Sequence, residues 1–204
     1  MIAAHHSMMG RMSPLPPGVV PLNYVQGSIE NYGSNNVPYI KTDIRPTLDF
    51  EIEGEFECHT PVGGPWLYYF GVQSGDDSNN QCSFRRWDWQ PTSAQAAIGN
   101  KSVQVSIPSG KFYLRMNKSS VTVNDSIYTL PTPTVQVYNG LLYFCSSNWR
   151  GRATRSSQNL TYWAKVYDGG MLVADLIPVS DNGTPTLYNK KTGYICPANR
   201  TLGG

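Results

Sequence analysis

The sequence predicts an all-β protein, a two-sheet antiparallel sandwich of jelly-roll type with an extended N-terminal arm. Apolar and polar residues alternate with period two in several runs, and no stretch carries a convincing 3.6-residue apolar stripe. Turn residues separate the runs at about 8–12-residue spacing, the rhythm of a sandwich. Composition agrees: 19 Gly and 15 Pro accompany only 15% charged residues, which suits strands joined by many turns.

The length of 204 residues fits one β domain, since sandwiches run to about 200–250 residues as single units. Such a chain buries roughly 70% of its unfolded surface and needs neither metal nor disulfide for stability. A net charge of +2 lacks the basic face that a nucleic-acid partner requires. No apolar run approaches the roughly 20 residues of a membrane helix, so no membrane insertion is expected.

Residues 1–21 read as the arm and residues 22–204 as the sandwich. Pro14, Pro16, Pro17 and Pro21 favour extended polyproline backbone and remove donors. The arm buries too little of its own surface to offset ordering entropy of about 1–2 kcal/mol per residue. It is therefore expected to order against sister subunits or other proteins, with Met8, Met9, Met12 and Leu15 as adaptable contacts.

Within the sandwich, TLDFEIEGEFEC is the clearest strand. Leu48, Phe50, Ile52, Phe56 and Cys58 alternate with Asp49, Glu51, Glu53, Glu55 and Glu57, giving one buried and one wet face. Gly54 interrupts the buried side and marks a bulge or a close approach. Further strands are expected at 66–73, 82–89, 94–98, 102–107, 111–116, 134–138 and 141–146, with a hairpin over VTVND and SIYTL. The best helix candidate is a short turn near 92–97. Residues 162–167 and 171–177 form a closing hairpin around Asp168-Gly169-Gly170, whose glycines supply positive φ. Pro178 is expected to end its second strand, because it cannot donate to a ladder.

Cys58, Cys82, Cys145 and Cys196 are far apart with no CxxC pair, so a zinc site is not expected. They read as buried free thiols, with two disulfides as the alternative. The opening MIAAHHSMMGRMSPLPPGVVPL lacks the apolar core of a secretory signal, so a cytosolic product is expected. Six Asn-x-Ser/Thr triplets then follow from composition rather than from glycosylation.

Several signatures line up in order: YVQGS at 24–28, PYIKTDIRP at 38–46, YYFGV, LLYFCSSNWRG, and YWAKVYDGGMLVADLIPVSDNGTPTLYNKKTGYICPAN. This text resembles the laminin-G-like, concanavalin-A-like jelly rolls of gut bacteria and their phages, over residues 22–202. Thr42-Asp43-Ile44 replaces the usual Asp-Thr-Gly, and Thr186-Leu187-Tyr188-Asn189 replaces Gly-Leu-Tyr-Asp. The resemblance implies a non-enzymatic virion protein, attached to a phage capsid or tail and assembled in host cytoplasm. Its partners would be other virion proteins, sister subunits and host-surface glycans. The alternative is a bacterial surface or secreted carbohydrate-binding module.

Three constellations carry candidate chemistry. Glu51, Glu53 and Glu55 nearly match the Glu-x-Asp-x-Glu run of laminarinase-like glucanases on this fold, though any solvated strand face has the same pattern. In the loop at 74–81, Asp76, Asp77 and Asn79 are hard oxygen donors suited to calcium, and equally to an ordinary turn. The third is aromatic and basic: Trp87 and Arg86 in FRRWDWQ, then Trp149, Arg150, Arg152 and Arg155 in SNWRGRATR. Indole faces stack on sugar rings while Arg takes hydroxyls or an acidic group. Alternation places Trp87 and Trp89 on one strand face with Arg85, and Arg86 with Asp88 on the other. His5, His6 and His59 have no carboxylate shell, and no phosphate loop, nucleophile elbow or Cys-His pair occurs, so no enzyme is expected.

Overall fold

The computed structural model describes residues 14–27, 38–58, 66–74, 79–87, 89–154 and 157–199. Its first sheet contains β1 (Val19–Pro21), β2 (Val25–Gln26), β4 (Phe50–Glu57), β9 (Lys111–Met116), β10 (Ser120–Val123), β11 (Ser126–Thr129), β15 (Leu160–Asp168), β16 (Met171–Asp181), β17 (Thr184–Asn189) and β18 (Tyr194–Ile195). The second contains β3 (Tyr39–Lys41), β5 (Leu67–Gln73), β6 (Gln81–Arg86), β7 (Ser93–Gly99), β8 (Lys101–Ser106), β12 (Tyr143–Phe144), β13 (Ser147–Trp149), β14 (Arg152–Thr154) and β19 (Ala198–Asn199).

The first sheet runs β11-β10-β9-β4-β15-β16-β17-β18, with β2 on β15 and β1 on β16. The second runs β19-β3-β12-β5-β6-β7-β8. Neighbours are antiparallel, except that β13 runs parallel to β5. Between the sheets lies an aromatic core in which Phe56 and Phe112 face Tyr69, Phe70 and Phe84. Each fully buried ring of this size contributes about 1.5–3 kcal/mol. The fold is the expected jelly-roll sandwich.

The alternation of β4 is realised residue by residue: Phe50, Ile52, Gly54 and Phe56 face inward, while the glutamates are half-buried on the outer face. Gly54 marks a close approach, since a Cβ there would stand 2.5 Å from the Trp163 carbonyl oxygen. The partner strand β15 is irregular at that place, between Thr161 and Trp163. At the closing hairpin, Gly169 and Gly170 have φ of 55° and 81°, the type I′ geometry that a two-residue turn favours.

Four expectations are corrected. The strand does not end at Pro178; β16 continues to Asp181. Pro178 sits where the neighbour changes from β15, last paired at Ala164–Leu176, to β1, first paired at Pro21–Val179. Its carbonyl there accepts from the Leu22 amide, and no ladder bond requires its missing donor. Residues 134–138 form no strand: Asn100 holds both the amide and the hydroxyl of Thr134, and the Tyr138 amide donates to Asn80. Residues 93–99 are strand β7, as expected for 94–98, and the helical turn considered near 92–97 does not form. The end of the arm lies on its own domain. β1 pairs with β16, and Leu15 packs with Val19, Val179 and Tyr188. Met8, Met9 and Met12 lie outside the described residues.

All four cysteines are free and buried. Cys145 has φ of 61°, a left-handed conformation that reverses the chain between β12 and β13.

Candidate functional site

On the face of the second sheet turned away from the core, β5, β6 and β7 build one polar–aromatic cluster. A register shift between Tyr68 and Phe70 sends both Tyr69 and Phe70 into the core cluster and leaves Tyr68 on the outer face. In β6, Phe84 is in the core, so Arg85 joins Tyr68 outside. Register sets Arg85 opposite Tyr68 on one side and Gln95 on the other.

Arg85 is only 5% exposed. Its Nε and Nη2 donate to Gln95 Oε1 at 3.0 and 2.7 Å, and Nη1 donates to the Tyr68 hydroxyl at 2.6 Å. Its carbon lies 4.0 Å from the centroid of the Trp66 ring, well inside cation–π range. Trp66 packs on Trp87 at 4.2 Å between centroids, and Trp87 on Trp89 at 6.4 Å. Trp66 and Trp87 are half-buried, whereas Trp89 is 64% exposed. The result is a shelf of three indoles with a buried cation beneath its inner end. Gln90 and Thr92, which follow Trp89 in the same loop, are both exposed. Tight backbone bonds shape this loop: the Gln90 amide donates to Trp87 and the Ser93 amide to Gln90.

The two halves of the aromatic–basic constellation are not brought together. Trp87 follows β6 at the Leu67 end of β5, whereas Trp149 pairs with Gln73 at the other end. Seven residues of β5 separate these places by roughly 20 Å at about 3.3 Å per residue. Trp149 is half-buried, and its Nε1 is buried without an acceptor among the described residues. Arg150 and Gly151 form a tight turn with φ of 51° and 86°. Arg150 Nε donates to the Ser74 carbonyl and its amide to Gln73, so it fastens the hairpin to the neighbouring loop instead of lying free beside Trp149. Arg152 is exposed, and Arg155 lies outside the described residues.

Arg86 is a further correction. It is 1% exposed and lies on the inward side of β6, where its charge acts on Tyr69 and Cys58. Burial pushes both of those groups up, against the opposing pull of Arg86. A side chain so placed cannot meet a ligand. Asp88, Asp76 and Asp77 lie outside the described residues, and Asn79 is exposed. Among the described residues no group of three or more His, Cys, Asp or Glu could hold a metal.

The glutamate row stands on the outer face of the first sheet, and each member is engaged. Arg115 binds Glu51 through Nε at 3.0 Å and Nη2 at 2.9 Å, and Lys111 meets Glu55 at 2.7 Å. Glu53 accepts from Tyr113 at 3.0 Å and Tyr167 at 2.8 Å, and Glu57 accepts from Tyr162. This is the bonding of a solvated sheet face, with its cations and phenols as partners.

Trp66, Tyr68 and Gln95 are absent from the constellations that the sequence suggests. One signal was available: Arg85 and Gln95 stand symmetrically about Gln90, the centre of the β6–β7 turn. The register shift that turns Tyr68 outward leaves no mark in WLYYFG.

No protein-family model matches the chain, and no curated protein matches it. Among solved structures, the chain is similar to the CBM40 of a Ruminococcus gnavus IT-sialidase, with a TM-score of 0.43 and 6% identity. The similarity covers 73% of this chain and 89% of that chain. At this level it carries no argument about ligand.

Proposed function

We propose that the protein is a non-catalytic carbohydrate-binding sandwich whose recognition surface is the Trp66–Trp87–Trp89 shelf. The exposure of Trp89 at the end of a packed series of indoles carries the reading. A ring so exposed gains little for the fold, but its face matches the apolar face of a pyranose. Gln90 and Thr92 supply polar groups for ring hydroxyls. One stacked ring with one or two hydrogen bonds supports affinity of only about millimolar per site. Adhesion then comes from many copies, where linked sites gain a factor of about 10²–10⁴.

Multivalent protein on a glycan array tests this reading. Binding is expected for the multivalent form, strongly reduced by Trp89→Ala and unaffected by Trp149→Ala. Silence across the array, or binding that survives Trp89→Ala, contradicts it. Display on a virion is the placement that the sequence resemblance implies. Mass spectrometry of purified virions tests that placement, and absence of the chain there would leave a bacterial surface or secreted module.

A further inference from the structure

We infer that Arg85 is a positioning residue that locks the Trp66–Trp87 pair into one orientation, so that the shelf is rigid before any ligand arrives. The inference rests on the carbohydrate-binding reading for its purpose, but not for its geometry.

Burying a guanidinium is costly unless it is paired, yet the described partners of Arg85 are neutral: one amide oxygen, one phenol and one indole. Arg85 is 5% exposed and has the Trp66 ring stacked on it, whereas Trp66 and Trp87 are half-buried, so the indoles rather than the guanidinium are open to a ligand. Its planar fork is held on two sides. Gln95 takes Nε and Nη2, and Gln95 is itself fixed by donating to Ser102 at 3.1 Å. Tyr68 takes Nη1 and leans at 3.4 Å on Gln73. A guanidinium so anchored offers one fixed plane for Trp66 to stack upon, which an ammonium on a flexible stem cannot do. Trp66 in turn sets Trp87. An aromatic platform fixed in advance loses less freedom on binding, which favours affinity without a new contact.

The test uses the full chain and two readouts. Two indoles at 4.2 Å give an exciton couplet in far-ultraviolet circular dichroism, which Trp66→Phe should abolish as a control. Arg85→Met is expected to weaken or erase the couplet and to reduce binding to the array-selected glycan about tenfold, with Arg85→Lys failing to rescue either. Should Arg85→Met not fold, Gln95→Leu decides by the same two readouts. A couplet and an affinity both unchanged in the folded variant overturn the inference. If wild-type protein binds no glycan, the functional reading falls, and the couplet alone decides whether Arg85 orients the pair.

Discussion

Tyr113 donates its hydroxyl to Glu53 at 3.0 Å, across the seam between β9 and β4. Tyr167 does the same at 2.8 Å from the β15 side, so one carboxylate fastens three strands. The glucanase-like reading of this row asks Glu53 and its neighbours to perform proton transfer or attack. Glu53 instead acts as a shared acceptor for two phenols. Replacing it with leucine should cost about 1–3 kcal/mol through the lost charge-assisted bonds, measured by urea unfolding. An unchanged stability would show that the bonds contribute nothing net.

The same contacts set an alkaline limit. Tyr113 and Tyr167 are pushed from the usual 10 to about 12, first by burial and then by the Glu53 contact, and Tyr162 likewise by burial and Glu57. Folded pKa values above the unfolded ones contribute stability that is fully present below pH 10 and lost as pH rises towards 12. Phenolate absorbance should therefore lag behind free tyrosine between pH 10 and 12, and stability should fall across that window. Ionisation of all tyrosines at the free value would contradict this.

Gly54 tolerates no side chain. A Cβ would meet the Trp163 carbonyl at 2.5 Å and the Phe56 ring at 3.0 Å, and a backbone oxygen in a ladder cannot withdraw cheaply. Gly54→Ala should destabilise by about 1–3 kcal/mol, despite alanine's smaller entropy loss on folding. A neutral or stabilising effect in thermal unfolding would show that β15 yields.

The cysteines should be inert in the folded protein. Burial pushes Cys145 and Cys196 to about 12 and raises Cys58 and Cys82 as well, which suppresses the reactive thiolate. A thiol reagent should label all four only after denaturation, and reductant should leave the melting temperature unchanged. Rapid native labelling would show one of them to be accessible.

Deleting residues 1–21 should lower stability by about 2–4 kcal/mol, because it strips Val19 and Leu15 from Val179 and Tyr188. A melting temperature like that of the whole chain would restore the picture of an arm with no part in the domain.

What was legible in the sequence was local and periodic. Phe50 to Glu57 alternates because one face meets a core and the other meets water, and that is written residue by residue. Gly169 and Gly170 declare their turn in the same way. Pro178 and residues 134–138 misled because their bonds come from distant partners: Leu22 for one, Asn100 and Asn80 for the other. The site suffered more. Trp87 and Trp149 look equivalent in composition, yet they lie at opposite ends of β5, and only the pairing of three strands reveals it. Arg86 looked like a ligand-facing cation, but at the last position of β6 it lies on the inward side.

On the proposed carbohydrate-binding role, sugar meets the chain at Trp87 and Trp89. The chain holds 5 tryptophans, so fluorotryptophan labelling followed by fluorine NMR can watch each of them, once assigned by single substitutions. On titration with the array-selected glycan, the Trp89 and Trp87 resonances should shift together, with a smaller change at Trp66 and none at Trp149 or Trp163. Shifts confined to Trp149 or Trp163, or no shift at any indole up to sugar concentrations well above millimolar, would contradict it.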